Sequence, residues 1–242
     1  FLEHPLCDTC RNVEAKAFAK HDAELRSQGL EYDRQQWYRK VVPTRYLDRS
    51  FANFDAKGNE GRVDFLRDWA DTFPVEHSPL KYPSVLIVSR NNGVGKTHLA
   101  CAMLRTILWR FETRGVVNAP YEFWTAAGIR AKVADASRFS SKETLQDVYR
   151  YFAGAWLLVL DDLGKERIGG FEAAQAYETY YTIINERYNR GLPIVITSNI
   201  GLDPWQPGGI TLEDIIGLAA VSRLRQMTGE YSQVVIEGED RR

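Results

Sequence analysis

Four runs of residues have the types and spacing to do chemistry. The first is Arg90-Asn91-Asn92-Gly93-Val94-Gly95-Lys96-Thr97, followed by His98. Glycines ahead of a Lys-Thr pair let the backbone turn its N–H groups inward around phosphates. The lysine can then reach the β- and γ-phosphates, and the threonine hydroxyl can ligate magnesium. The usual pattern opens on glycine, and Arg90 stands in that place. The second run is Asp161-Asp162, directly after the apolar stretch 155–160. Asp161 can hold magnesium through its hydration shell, and Asp162 can polarise an attacking water. The third is Thr197-Ser198-Asn199. An amide there can orient that water and meet the γ-phosphate, although an isolated asparagine would simply open a turn. The fourth is Cys7-x-x-Cys10, half of a zinc site. Zinc takes four ligands. His4 is a candidate third, upstream cysteines are the expected complement, and a pair of unliganded thiols is the alternative.

These residues need elements to position them. Residues 12–41, rich in Ala, Glu, Lys, Arg and Gln, predict a charged helix that Pro43 closes. Residues 65–73 predict a short amphipathic helix. From residue 84 the pattern alternates: buried strands over 84–89, 155–160 and 193–198, helices over 96–109 and 172–189, and a short terminal strand over 233–237. Apolar strands alternating with helices imply a parallel sheet covered on both faces. The phosphate cradle, the paired acids and Asn199 would then share the carboxyl edge of that sheet, where ligands bind in such folds.

Composition sets the outer limits. The 242 residues suit one globular domain with an appendage. Lys and Arg number 31 against 32 Asp and Glu, so any nucleic-acid contact must come from a local basic patch. No apolar run approaches the roughly 20 residues that span a bilayer, and no signal peptide is visible. Three cysteines make no disulfide framework, and Cys101 reads as core. A cytoplasmic, reducing setting is expected.

Together, Gly93-Val94-Gly95-Lys96-Thr97-His98-Leu99-Ala100, Leu158-Val159-Leu160-Asp161-Asp162-Leu163-Gly164-Lys165-Glu166 and Ile196-Thr197-Ser198-Asn199 resemble the DnaC/IstB/DnaI group of AAA+ ATPases. These are bacterial and phage helicase loaders and the ATPase subunits of some transposons. The resemblance covers roughly residues 43–242. It implies an α/β AAA+ P-loop NTPase with a parallel sheet flanked by helices and little or no C-terminal lid. Residues 1–42 would form a zinc-binding and helical appendage to the ATPase domain 43–242. The resemblance implies ATP and magnesium as cofactors and hydrolysis between subunits of an AAA+ ring or spiral. It also implies single-stranded DNA and a DnaB-type replicative helicase as partners, and no membrane. By motif, Asn92, Gly93, Val94, Gly95, Lys96, Thr97 and His98 would hold the nucleotide. Thr97 and Asp161 would hold magnesium, and Asp162 and Asn199 would act on the water. Arg223 would be the finger that reaches a neighbour, and Arg242 the second sensor. Arg90 and Asp162, where some relatives carry Glu, depart from the pattern.

Residues 123–150 carry Arg130, Lys132, Arg138 and Phe139, which in the loader and initiator group would touch single-stranded DNA. A solvated amphipathic helix is the plainer alternative, since Asp135, Glu143 and Asp147 dilute the charge. The resulting expectation is an ATP-dependent loader of a replicative helicase. Zinc would be held by Cys7 and Cys10 with further ligands, as related loaders often have. The alternatives are an IstB-like transposition ATPase that recruits a transposase, and a scaffold that switches with ATP without hydrolysing it.

Overall fold

The computed structural model describes residues 8–75, 77–110, 121–138, 140–165, 170–229 and 233–240. Five strands form one sheet: β1 (Val85–Val88), β2 (Tyr121–Thr125), β3 (Leu157–Leu163), β4 (Ile194–Ser198) and β5 (Val234–Val235). Their order is β2-β3-β4-β1-β5, and every pairing is parallel. The helices are α1 (Asp8–Val41), α2 (Glu60–Thr72), α3 (Lys96–Trp109), α4 (Ala126–Ala136), α5 (Leu145–Gly154), α6 (Gly170–Arg190), α7 (Leu212–Ile216) and α8 (Leu218–Thr228). Two 3₁₀ turns, Thr44–Tyr46 and Phe51–Asn53, link α1 to α2.

Successive strand residues point to opposite faces, so each central strand feeds two cores. Val85, Ile87, Leu157, Val159 and Val195 pack with the end of α1, α2 and α3. Leu86, Leu158, Leu160, Ile194 and Ile196 pack with α4 to α8. Each such fully buried aliphatic side chain contributes about 1.5–3 kcal/mol.

The predicted α3 bounds, 96–109, match the structure, and the sheet is parallel as expected. The strand expected over 155–160 begins later and runs further, as Leu157–Leu163: both aspartates lie within β3, which breaks register between Leu160 and Leu163. The basic segment folds as two helices, α4 and α5, each capped by a threonine: Thr125 accepts from the amide of Gly128, and Thr144 from that of Asp147.

Two long side chains tie elements together. Arg187 on α6 is wholly buried, and its guanidinium donates to the carbonyls of Phe152, Ala155 and Pro193, at the ends of α5 and the starts of β3 and β4. Burial lowers its pKa to about 9, with Arg190 adding to the effect. Tyr38, near the end of α1, donates to the carbonyl of Cys101 at 3.1 Å, and its ring meets Trp109 edge-on. Further upstream, the described side chains of Lys16, Lys20, Ala23, Glu24 and Gln28 are exposed. Helix α1 therefore docks by its C-terminal turns.

Candidate functional site

The phosphate loop spans β1 and α3. Ser89 anchors its start: its amide donates to the carbonyl of Ser198 on the neighbouring strand, and its Oγ accepts from the Asn91 amide. Among the described non-glycine residues only Lys81 and Asp162 have positive φ. The corner at Arg90 thus needs no glycine, and the exposed Arg90 side chain stays outside the cleft. Gly93 and Gly95 do need to be glycine. Both have positive φ, and a Cβ on Gly95 would lie 2.5 Å from the Phe54 ring. Val94 sends its side chain into the core, so it can serve a ligand only through its backbone.

Order in the sheet brings the other residues to this loop. Strand β4 lies between β1 and β3, so Asn199 follows the strand that separates the cradle from the acids. The Asn199 amide donates to Oδ1 of Asn92 at 2.7 Å. Asp161 is wholly buried, and its Oδ1 accepts from Thr97 at 2.8 Å and from Thr197 at 2.6 Å. Burial raises the Asp161 carboxyl above the ordinary aspartate range; the Thr197 hydroxyl opposes this, Asp162 adds to it, and Thr97 and Lys165 oppose it. Asp162 sits at φ 62, an uncommon conformation for a residue with a side chain, and pairs with Lys165 at 2.7 Å. Lys96, almost fully buried, donates to the carbonyl of Asn91 at 3.1 Å.

Two buried acceptors at this edge have no hydrogen-bond partner among the described residues: Oδ2 of Asp161 and Oδ1 of Asn199. Buried polar atoms in proteins are nearly always satisfied, so each of these acceptors calls for a partner such as a water, an ion or a ligand. A carboxylate oxygen beside a threonine hydroxyl is a donor set that suits a hard divalent cation such as magnesium.

Lys96, Thr97, His98, Gly93, Gly95, Asn92, Asp162 and Asn199 line one cleft of about 440 Å³. The opposite wall comes from the segment between α1 and α2, through Arg45, Tyr46, Arg49, Asn53, Phe54 and Asp55. Sequence reasoning missed this wall. Its available signal was a basic and aromatic stretch after Pro43 with no helical period. The Phe54 ring meets His98 edge-on at 5.1 Å, and His98 Nε2 lies 2.9 Å from the Ser50 carbonyl.

Other predicted residues lie elsewhere. Arg223 does not line the cleft; its guanidinium lies over the rings of Tyr181 (5.3 Å) and Tyr188 (5.9 Å), and it donates to the carbonyl of Ala219. Lys132 pairs with Glu143 at 2.7 Å, Arg138 pairs with Asp135 at 3.2 Å, and Arg130 is half-buried. Cys7, Phe139 and Arg242 lie outside the described residues, as does the side chain of Cys10, whose backbone is in α1.

With that geometry in hand, residues 83–224 match the family of IstB-like ATP binding proteins. The chain belongs to this family. Its fold is shared with solved structures. The DnaC helicase loader superposes with TM-score 0.61 at 24% identity, over 81% of this chain and 100% of that one. DnaI gives 0.58 at 19% identity, over 83% and 94%. The replication initiator DnaA bound to AMPPCP and single-stranded DNA gives 0.51 at 17% identity, over 82% and 51%. Comparison with curated proteins found no match. The family's parallel sheet is the AAA+ P-loop type that the sequence predicts. Among the described residues no helix is long and apolar enough to cross a membrane.

Proposed function

We propose that this chain is an ATPase that helps place a DnaB-type replicative helicase on single-stranded DNA. The observation that carries the reading is the meeting of Lys96, Thr97, Asp161, Asp162 and Asn199 at one sheet edge, with two orphaned buried acceptors among them. Lys96 and the backbone of Asn92 to His98 bind the phosphates. Thr97 and Asp161 hold the cation. Magnesium held there would supply positive charge against the phosphates. Asp162 and Asn199 orient a water, which adds to the γ-phosphorus as the bond to the bridging oxygen breaks; ADP and phosphate leave. Arg223 of one subunit serves the nucleotide of the next, and Arg242 contacts nucleotide in its own.

The helicase assignment draws support from the fold shared with the DnaC helicase loader, and from the Cys7-x-x-Cys10 spacing in the sequence ahead of the ATPase domain. In this reading residues 1–42 form the partner-binding appendage with zinc, and 43–242 the ATPase. Arg130, Lys132, Arg138 and Phe139 follow DNA phosphates and stack on a base. The family also admits a second reading, an IstB-like transposition ATPase. The test is capture on an immobilised DnaB-type helicase, or on an IS21-type transposase, with and without ATP. Capture by the helicase upholds the loader; capture by the transposase alone replaces it with the second reading.

A further inference from the structure

The cleft has a cationic wall beyond the phosphate loop. Arg45 and Arg49 line it together with Lys96, Thr97 and Asp162. Their segment is fastened to α3, the helix that begins at the loop. The Leu47 carbonyl accepts from Arg105 at 3.3 Å, and Ser50 meets His98. Tyr46, between the two arginines, lines the cleft together with Thr97 and Asp162 at its cation end. The arginines therefore enter at the metal end of the cleft, where the terminal phosphate of a triphosphate would lie. The Arg45 guanidinium is set 4.6 Å over the Tyr46 ring, which orients its fork. Arg49 has a loose pair with Asp48, at 3.5 Å and exposed to solvent. The cleft's other added cation, Lys165, is already paired with Asp162.

We propose that Arg45 and Arg49 grip the terminal phosphate of a nucleoside triphosphate within the same subunit, and so make the cleft prefer triphosphate to diphosphate. The proposal rests on the nucleotide-binding reading above. Guanidinium forks hold phosphate oxygens in pairs, and such charge-assisted bonds are about twice as strong as neutral ones. A diphosphate bound by the loop leaves both forks unused.

The test is equilibrium titration with AMPPCP and with ADP, each with magnesium, at protein concentrations below self-association. The proteins are wild type, Arg45→Gln, Arg49→Gln, the double variant, Arg45→Lys and Lys96→Ala. The double variant should lose about tenfold or more in AMPPCP affinity and less than about twofold for ADP. Arg45→Lys, which keeps the charge without the fork, should fall between. An equal loss for both nucleotides in a variant that melts like wild type, or no loss at all, overturns the proposal. Lys96→Ala separates the two ideas. If it abolishes binding of both nucleotides while the arginine variants behave as wild type, only the clamp is wrong. If it binds both normally, the nucleotide site itself is wrong.

Discussion

The Thr97 hydroxyl donates to Oδ1 of Asp161 at 2.8 Å, which ties the first turn of α3 to a strand two places away in the sheet. Thr197, on the strand between them, donates to the same oxygen at 2.6 Å. A single carboxylate oxygen thus joins β1's helix, β4 and β3, while its twin has no donor among the described residues.

This arrangement makes Asp161 a liability to the fold. Its carboxyl is raised by burial, so any stability it contributes is present below the unfolded pKa and lost as pH rises through the higher folded value. Above the unfolded pKa, the cost of ionising this buried carboxyl opposes folding. Asp161→Asn should raise the melting temperature of the ligand-free protein by about 2–4 °C, for about 1 kcal/mol. The same variant should lose the extra stabilisation that magnesium and ATP give the wild type. Calorimetry with and without both ligands checks this. An unchanged or lower ligand-free melting temperature rejects the account.

Asp162→Asn should bind ATP with near wild-type affinity and lose turnover, because the water loses its polarising carboxylate. Binding and phosphate release are measured on one preparation. Wild-type release by the variant removes Asp162 from catalysis.

Arg223→Ala should bind ATP almost normally and hydrolyse it more slowly, by about 10³ where the finger is fully used. Here the arginine rests on Tyr181 and Tyr188, so it must leave those rings to reach a neighbour. Mixing Arg223→Ala with Asp162→Asn should restore some phosphate release, since an intact finger then meets an intact acid. A mixture that co-assembles yet stays as inactive as its parts would rule out action across the interface.

Arg187→Met should lower stability by about 3 kcal/mol or more, because three buried carbonyls lose their donor. That corresponds to a fall of about 10 °C in melting temperature. Arg187→Lys should not restore it, since an ammonium lacks the planar fork. Thermal denaturation of both variants decides, and a lysine variant as stable as wild type refutes the argument.

The parts of the site made by local sequence were legible. Glycines, lysine and threonine at fixed spacing define the loop whatever surrounds it, and buried strands announce themselves by unbroken apolar runs. The α3 bounds follow from the glycine that ends the loop and the apolar period after it. The wall from Arg45 to Asp55 was not legible, because short 3₁₀ turns have no period and its place opposite the loop is set by tertiary packing. Nor does the sequence distinguish an arginine wholly buried beneath a sheet, Arg187, from one resting on two tyrosines, Arg223. The left-handed turn at Asp162 coincides with the break in β3 register, which no residue type signals.

Helix α1 is a lever. At about 1.5 Å per residue its 34 residues measure about 50 Å, and the fulcrum is at Trp37 and Tyr38. A tilt of about 10° there sweeps the far end through about 8 Å, by simple arc length on that rise. Tyr38 is pinned to α3, the helix that opens at Lys96, so a rotation of α3 passed through that contact would displace the distant end in proportion to the helix's length.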